Sequence, residues 1–247
     1  MQKYVQVAFF LIFSIGCQAQ QNLFNIPSGD ITPSKKIFYQ QQFNFYQIDE
    51  LESKSHFVYG LGKGWDAGLN FVDLPLKIND REIVSYNDNS NRKPLYPLLM
   101  ASLQKQWQIA SHWQVNVGTQ VGPNLSNRVD NKKIAYFNYA VVRWGPSEKA
   151  HLLAGPYISN DVFVGGPPDQ QIGFMAGYEY KINEKLLLMG DFISGDHKKS
   201  QTVIGAGYTF GDRVQLFLGG LMAFPNRELQ NGLVVELNWY GWDFMKK

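Results

Sequence analysis

The fold is decided by one run of alternating residues, Trp113-Gln-Val-Asn-Val-Gly-Thr-Gln-Val121. Every second residue from Trp113 is apolar or a threonine, and the residues between them are Gln, Asn and Gly. Because side chains of a β-strand point alternately to opposite faces, this period of two predicts a strand with one apolar and one polar face. The run Ile172–Ile182 repeats the pattern, with Glu179 and Lys181 on its polar face.

Alternating runs recur along most of the chain and predict about twelve strands. Their expected ranges are 37–47, 54–62, 65–74, 95–106, 112–122, 134–144, 151–159, 171–182, 185–194, 202–211, 213–223 and 232–243. Tight turns such as Lys63-Gly64 and Asn183-Glu184 alternate with longer polar connections. The sequence therefore predicts an all-β protein: a single up-and-down antiparallel transmembrane β-barrel over residues 37–247, with short turns at one end and long loops at the other.

Composition excludes several other classes of protein. A formal net charge of +2 does not suit a strongly basic nucleic-acid-binding protein. The one cysteine rules out a disulfide framework or a cysteine-rich zinc site. The chain has no nucleotide, haem or iron–sulfur motif, so we expect no cofactor, no metal and no nucleic-acid partner.

The N-terminus has the pattern of a secretory signal peptide. Lys3 precedes the apolar run Val5–Ile15, and Ala19 offers a small residue at a cleavage site, so residues 1–19 are expected to be removed. An alternative is lipidation of Cys17, because Ser14-Ile-Gly-Cys17 loosely resembles a lipobox. The polar segment 20–36 is expected to form an extended periplasmic leader.

The strand pattern favours a barrel whose apolar face meets lipid. The strands are about ten residues long, which suits a tilted transmembrane strand of ~9–11 residues. The six tryptophans all fall next to short turns or the C-terminus, and this placement predicts one aromatic belt at the membrane interface. They are Trp65, Trp107, Trp113, Trp144, Trp239 and Trp242.

The chain resembles porin-like outer-membrane β-barrel proteins over about Ile37–Phe244. The resemblance includes the final strand, Leu233-Val-Val-Glu-Leu-Asn-Trp-Tyr-Gly-Trp-Asp-Phe244. It implies a place in the outer membrane of a Gram-negative cell, with outer-membrane lipids as partners.

Charged and amide side chains on the polar face are expected to line the lumen, since a charge facing lipid is costly. The expected lining residues are Asn44, Asp66, Asn116, Gln120, Glu179, Lys181, Asp191, Glu236 and Asn238. They favour a channel for passive passage of small hydrophilic solutes, with a modest cation preference because the acids outnumber the base.

Two alternatives stay open. One is an outer-membrane lipid hydrolase of the lipase or lipid A deacylase type, for which His56 with its neighbours Ser53 and Ser55 is the best candidate. The other is a non-conducting barrel that serves as a scaffold or accessory subunit. No catalytic residue is assigned on the sequence.

Overall fold

The strands close into one barrel in a computed structural model that describes residues 21–46, 50–77, 94–125, 133–165, 171–224 and 231–245. The strands are β1 (Ile37–Phe45), β2 (Glu50–Gly62), β3 (Trp65–Lys77), β4 (Leu98–Ala110), β5 (Trp113–Pro123), β6 (Ile134–Trp144), β7 (Ala150–Ser159), β8 (Ile172–Lys181), β9 (Leu186–Ile193), β10 (Gln201–Phe210), β11 (Val214–Ala223) and β12 (Gly232–Tyr240). A single turn of helix, α1 (Asp161–Val164), lies between β7 and β8. The predicted signal peptide, including Cys17, lies outside the described residues.

Each strand pairs antiparallel with its neighbours in sequence, and β1 pairs with β12 to close the barrel. The seam brings Phe38 opposite Tyr240 and Asn44 opposite Val234. The predicted twelve-stranded, all-β, up-and-down barrel is therefore confirmed. The largest differences are at strand ends: β2 begins earlier than expected because Glu50–Ser53 continues to pair with β3.

The two ends of the barrel differ. One end, here called the short-turn rim, carries the tight connections such as the one between Gly62 and Trp65. The other end, the loop rim, carries the longer connections together with α1. Backbone bonding holds α1 in place, since Leu95 N donates to Val162 O at 3.0 Å.

The outer face of the barrel is apolar. Large side chains stand outward from different strands, among them Leu69 at 56% exposure, Ile204 at 50% and Leu218 at 58%. The residues between them turn into the barrel and are buried, as the period of two requires. Among the described residues, no helix is long and apolar enough to cross a membrane.

Residues 21–32, here called the plug segment, lie inside the barrel. They form a hairpin in which Leu23 N donates to Ile26 O at 2.9 Å and Ser28 N donates to Gln21 O at 3.0 Å. The chain then passes the short-turn rim, where Lys35 N donates to Gly60 O at 2.8 Å. Gly60 has to be a glycine, because an added Cβ would lie 2.0 Å from Pro33 O. The segment predicted to be an extended leader thus occupies the lumen.

Candidate functional site: the plugged lumen

The lumen has one apolar wall, and the plug segment packs against it. Leu23, Phe24 and Ile26 are 0–2% exposed and belong to a buried cluster with lumen-facing side chains of β6 to β12. The Phe24 ring meets the Phe217 ring edge-on, with centroids 6.3 Å apart. Apolar side chains facing an open aqueous pore would be unfavourable, so the plug segment accounts for this wall.

Glycines in the wall make space for the plug segment. A Cβ added at Gly177 would lie 2.3 Å from Leu23 Cδ1, and one added at Gly219 would lie 2.9 Å from Phe24 Cζ. These are approaches that real Cβ atoms do not make without a shift of the neighbour. Glycine at these two positions therefore lets the Leu23 and Phe24 side chains pack directly against the wall.

The opposite side of the lumen, on β1 to β5, carries most of the buried amide side chains, and Asp66 is its main anchor for the plug segment. One carboxylate oxygen, Oδ2, accepts from Thr32 N at 2.9 Å and from Gln21 Nε2 at 2.8 Å. Gln104 Nε2 donates to the same oxygen at 3.1 Å. Asp66 is 1% exposed, so the two ends of the plug segment meet at one buried carboxylate.

A second anchor is Arg143, near the short-turn rim. Its Nη1 lies 3.2 Å from Asp30 Oδ1 of the plug segment, and its Nη2 lies 3.8 Å from Glu179 Oε2 of β8. Arg143 Nη2 also donates to His151 Nδ1 at 2.8 Å. The guanidinium thus joins the plug segment to β6, β7 and β8.

A third set of contacts holds the hairpin tip. Asn25 Oδ1 accepts from Lys54 Nζ at 3.1 Å and from Gln42 Nε2 at 3.2 Å, while Asn25 N donates to Asp191 Oδ2. Asn22 Nδ2 donates to Gln40 Oε1 at 2.8 Å. The hairpin is therefore amphipathic: its apolar side chains pack on the apolar wall, whereas its side-chain amides bond polar residues of β1 and β2 and the Asn25 backbone bonds Asp191 of β9.

A cavity that is partly open to solvent lies between the hairpin tip and the loop rim. The tip forms its floor through Asn22, Phe24 and Asn25. Phe163 and Val164 of α1 and His197 and Lys199 of the β9–β10 connection reach it from the rim. Strand residues complete the lining: Lys54, His56, Val72, Gln120, Phe137, Tyr157, Ile193 and Gln201.

The residues predicted to line a pore do not share one open surface. Seven of them are 0–7% exposed inside the barrel: Asn44, Asp66, Asn116, Glu179, Asp191, Glu236 and Asn238. Gln120 lines the cavity, and Lys181 is half-buried at the end of β8 near the short-turn rim. The plug segment covers Asp66 and Asp191 directly.

Several lumen charges were missed in the sequence. Lys54 Nζ lies 3.2 Å from Glu52 Oε1, and Lys199 pairs with Asp73. Burial lowers the pKa of Lys199, but the carboxylates of Asp73 and Glu52 more than offset this and raise it above its ordinary value. The position of Lys54 could have been found from the sequence, because it belongs to the set of alternate β2 residues that point into the barrel. Lys199 lies in the connection between β9 and β10, where no alternation indicates the direction of a side chain. Because these missed charges come as acid–base pairs, the acids among the described lumen residues still outnumber the bases.

Five of the six tryptophans lie on the outer face at the short-turn rim. Trp65, Trp107, Trp113, Trp144 and Trp239 are 37–47% exposed. Trp113 and Trp144 stack with centroids 5.9 Å apart, and Lys105 Nζ lies 5.4 Å from the Trp65 ring. Trp242 differs: it is 9% exposed and packs edge-on against Tyr240.

The histidines do not assemble an outward-facing catalytic group. His56 lines the cavity inside the barrel, whereas Ser55 bonds Gln41 Oε1 at 2.5 Å. Ser200 Oγ lies 3.2 Å from His197 Nδ1, but Ser200 is fully buried, so a lipid does not reach it. Among the described residues, no group of three or more His, Cys, Asp or Glu side chains is placed to hold a metal ion.

No family model matches the chain, and no curated protein matches it. Solved structures do. Two structures of the KdgM porin, one of them in complex with disordered oligogalacturonate, align with TM-scores of 0.53 and 0.51 and identities of 7% and 8%. Each alignment covers 83% of this chain and 98% of the porin. The chain has the fold of a porin-like outer-membrane β-barrel. Outer membrane phospholipase A from Escherichia coli also aligns, at a TM-score of 0.46 with 11% identity, over 86% of this chain and 98% of the enzyme.

Proposed function

We propose that the protein is an outer-membrane barrel that admits small hydrophilic solutes at its loop rim and passes them when the plug segment shifts. The observation that carries the proposal is the amphipathic hairpin in the lumen, below a cavity that opens toward the loops. In this proposal the lumen of the barrel is the path for the solute, and the seated hairpin blocks it.

The outer surface supports the location. An apolar outer face with tryptophans around one rim suits a bilayer, where the indole ring prefers the interface between lipid and water. The same face in water would be far larger than the apolar patches that soluble monomers expose. The short-turn rim would then face the periplasm and the loop rim the outside.

The contacts of the hairpin support a movable closure. Asp66, Arg143 and Lys54 hold it through side chains, and no strand of the barrel pairs with residues 21–32 among the described bridges. Displacing the hairpin would break these bonds and expose the apolar wall, while leaving the strand-to-strand hydrogen bonds intact. The barrel can therefore stay folded when the plug segment leaves.

Conductance in a planar bilayer tests the proposal. The wild-type protein should be closed most of the time and open rarely. A variant with Leu23→Ser, Phe24→Ser and Ile26→Ser should conduct steadily and ohmically, because the hairpin loses its apolar contacts.

The matched control keeps the same three positions apolar through Leu23→Met, Phe24→Leu and Ile26→Val, and it should behave like the wild type. Both variants should still shift in electrophoretic mobility on boiling, which reports a folded barrel. A triple-serine variant that is folded but silent would refute the channel.

A non-conducting scaffold is the second candidate, and the filled lumen favours it. In that case the plug segment is a permanent core that stiffens the barrel, as buried apolar contacts do. The triple-serine variant would then lose thermal stability without gaining conductance.

A further inference from the structure

We propose that the lumen wall binds small organic ammonium ions at Asp191 and Asp66, where these ions take the places of N–H groups of the plug segment when the segment shifts. The inference rests on the proposed function, because it names the class of solute that enters the lumen. Three features carry it: two barrel carboxylates that lack an ion pair among the described residues, plug N–H groups that occupy them, and apolar side chains around Asp191.

The barrel compensates three of its own lumen cations. Arg143, Lys54 and Lys199 lie next to Glu179, Glu52 and Asp73, in that order. These pairs join residues of the barrel to each other, so they remain when the plug segment leaves.

Asp66 and Asp191 are left over in this accounting. They are 1% and 3% exposed, and no lysine, arginine or histidine in the described part of the chain forms an ion pair with either of them. Glu236 lacks an ion pair as well, but its Oε1 accepts from Asn238 Nδ2 of the same strand at 3.0 Å. A buried charge is costly unless it is paired, so the two carboxylates favour a cation once the plug segment is displaced.

N–H groups of the plug segment occupy both carboxylates in the seated state. Asp66 Oδ2 accepts from Thr32 N at 2.9 Å and from Gln21 Nε2 at 2.8 Å, and Asp191 Oδ2 accepts from Asn25 N. These donors are neutral. An ammonium ion donates in the same way and adds a positive charge, which makes a hydrogen bond about twice as strong. The N–H groups of the seated hairpin thus show where those of a solute would bind.

The surroundings of Asp191 favour an organic cation over an inorganic one. Asp191 lies on the inward face of β9 between Met189 and Ile193, and it pairs with Val203 of β10. All three neighbours belong to the buried apolar cluster that includes the plug residues. When the plug segment leaves, these side chains lose its cover, and an alkyl chain shields them from water. An ammonium group on a short alkyl chain therefore matches both the carboxylate and the wall around it.

Binding at these carboxylates competes with the plug segment. An ammonium ion on Asp191 or Asp66 takes the oxygen that Asn25 N or Thr32 N uses, so the ion binds the unseated state better than the seated state. By linkage, the ion raises the population of the unseated state. The solute thereby opens the lumen that it enters.

Amide hydrogen exchange on the purified protein tests the site. The reporters are the amides of Leu23 and Thr32, which are bonded in the seated state to Ile26 O and to Asp66 Oδ2. The probe is n-butylammonium chloride, which replaces KCl at constant ionic strength. Its matched control is tetramethylammonium chloride, whose cation is an isomer with the same charge and no N–H group, and sodium butyrate is the anionic control.

Butylammonium at about 0.1 M should speed the exchange of both amides about tenfold, as for a dissociation constant of about 10 mM in the unseated state. The two control salts should leave the exchange unchanged.

Variants locate the site. Asp191→Asn and Asp66→Asn each remove a charge and keep an acceptor oxygen for the plug segment. Because each variant also changes the exchange without the probe, the measured quantity is the fold rise that butylammonium causes. This rise should be smaller in each variant and lost in the variant that combines them. The control Glu184→Gln removes a carboxylate from the exposed turn between β8 and β9, and it should respond as the wild type does.

Ion selectivity of the triple-serine variant measures the same carboxylates without a seated plug segment, so it holds even if the Asn variants unseat the hairpin by themselves. In a KCl gradient its reversal potential should show a preference for K⁺ over Cl⁻. Asp66→Asn and Asp191→Asn together should remove most of this preference.

Four results would overturn the proposal: no rise of exchange with butylammonium, an equal rise with tetramethylammonium, a rise that the combined Asn variant keeps in full, or a K⁺ preference that the two substitutions leave unchanged. The exchange measurement needs no open pore. A butylammonium response in a protein whose triple-serine variant is silent would refute the channel and keep the site. A steady triple-serine channel, with wild-type amides that do not respond to butylammonium, would refute the site and keep the channel.

Discussion

Removing the Phe24 ring should unseat the plug segment without opening the strand pairing of the barrel. Phe24 is 2% exposed and packs on Phe217 and beside Gly219. A Phe→Ala change in a packed core costs about 3–5 kcal/mol. Since Phe24 takes no part in strand pairing, most of this cost falls on the seated hairpin. Each 1.4 kcal/mol is a factor of about ten, so the unseated population should rise at least about 100-fold.

Amide hydrogen exchange measures this population. The amides of Leu23 and Thr32 are bonded within the seated state, to Ile26 O and to Asp66 Oδ2. When closing is faster than exchange, their exchange rates follow the population of the open state. Both rates should rise by the same factor in Phe24→Ala, while amides of β4 and β5 keep their protection.

The control makes the same substitution on the outer face. Phe210 is 50% exposed and points away from the lumen. Phe210→Ala should leave the exchange of Leu23 and Thr32 unchanged. If Phe24→Ala also left it unchanged, the hairpin would not be held by its apolar contacts, and the argument for a movable closure would be wrong.

Three further predictions follow from the same geometry. Phe174→Arg should impair membrane assembly, because a charge facing lipid costs about 2–4 kcal/mol, whereas Asn116→Arg points inward and should assemble better; heat-modifiable mobility in gels compares them. Gly219→Ala should speed exchange of the plug amides, whereas Gly220→Ala, whose added Cβ meets nothing within 4 Å, should not. Arg143→Gln removes the guanidinium that pairs with the buried Asp30 and Glu179, so it should lower the thermal stability of the plugged state, as seen by calorimetry; an unchanged melting profile would contradict this role.

The barrel could be predicted from the sequence because the decisive signal is local. The strand at Trp113–Val121 can be recognised from its two-residue period alone. The regular change between short and long connections then predicts the up-and-down topology. The inward parity of Asp66 and Glu236 follows from the same rule.

The plug segment could not be predicted in this way. Residues 21–32 show no periodicity, and their partners, such as Asp66 and Arg143, are distant in sequence. Apolar lumen residues such as Met175 and Phe217 were the available hint, because an aqueous pore gives no reason for them. Trp242 is buried rather than part of the outer aromatic belt for a related reason: nearness to a strand end does not tell which side of the barrel wall a side chain takes.

The order of burial has a consequence for biogenesis. The side chains of Leu23 and Phe24 come early in the chain, yet their contacts lie on strands as late as β11 and β12. The pairing of β1 with β12, which closes the barrel, likewise requires that the last strand has been made. Residues synthesised first are thus among the last to be covered, and until then they expose apolar surface to water. Folding of this chain should consequently depend on holding chaperones more strongly than folding of a barrel whose N-terminal segment is polar throughout.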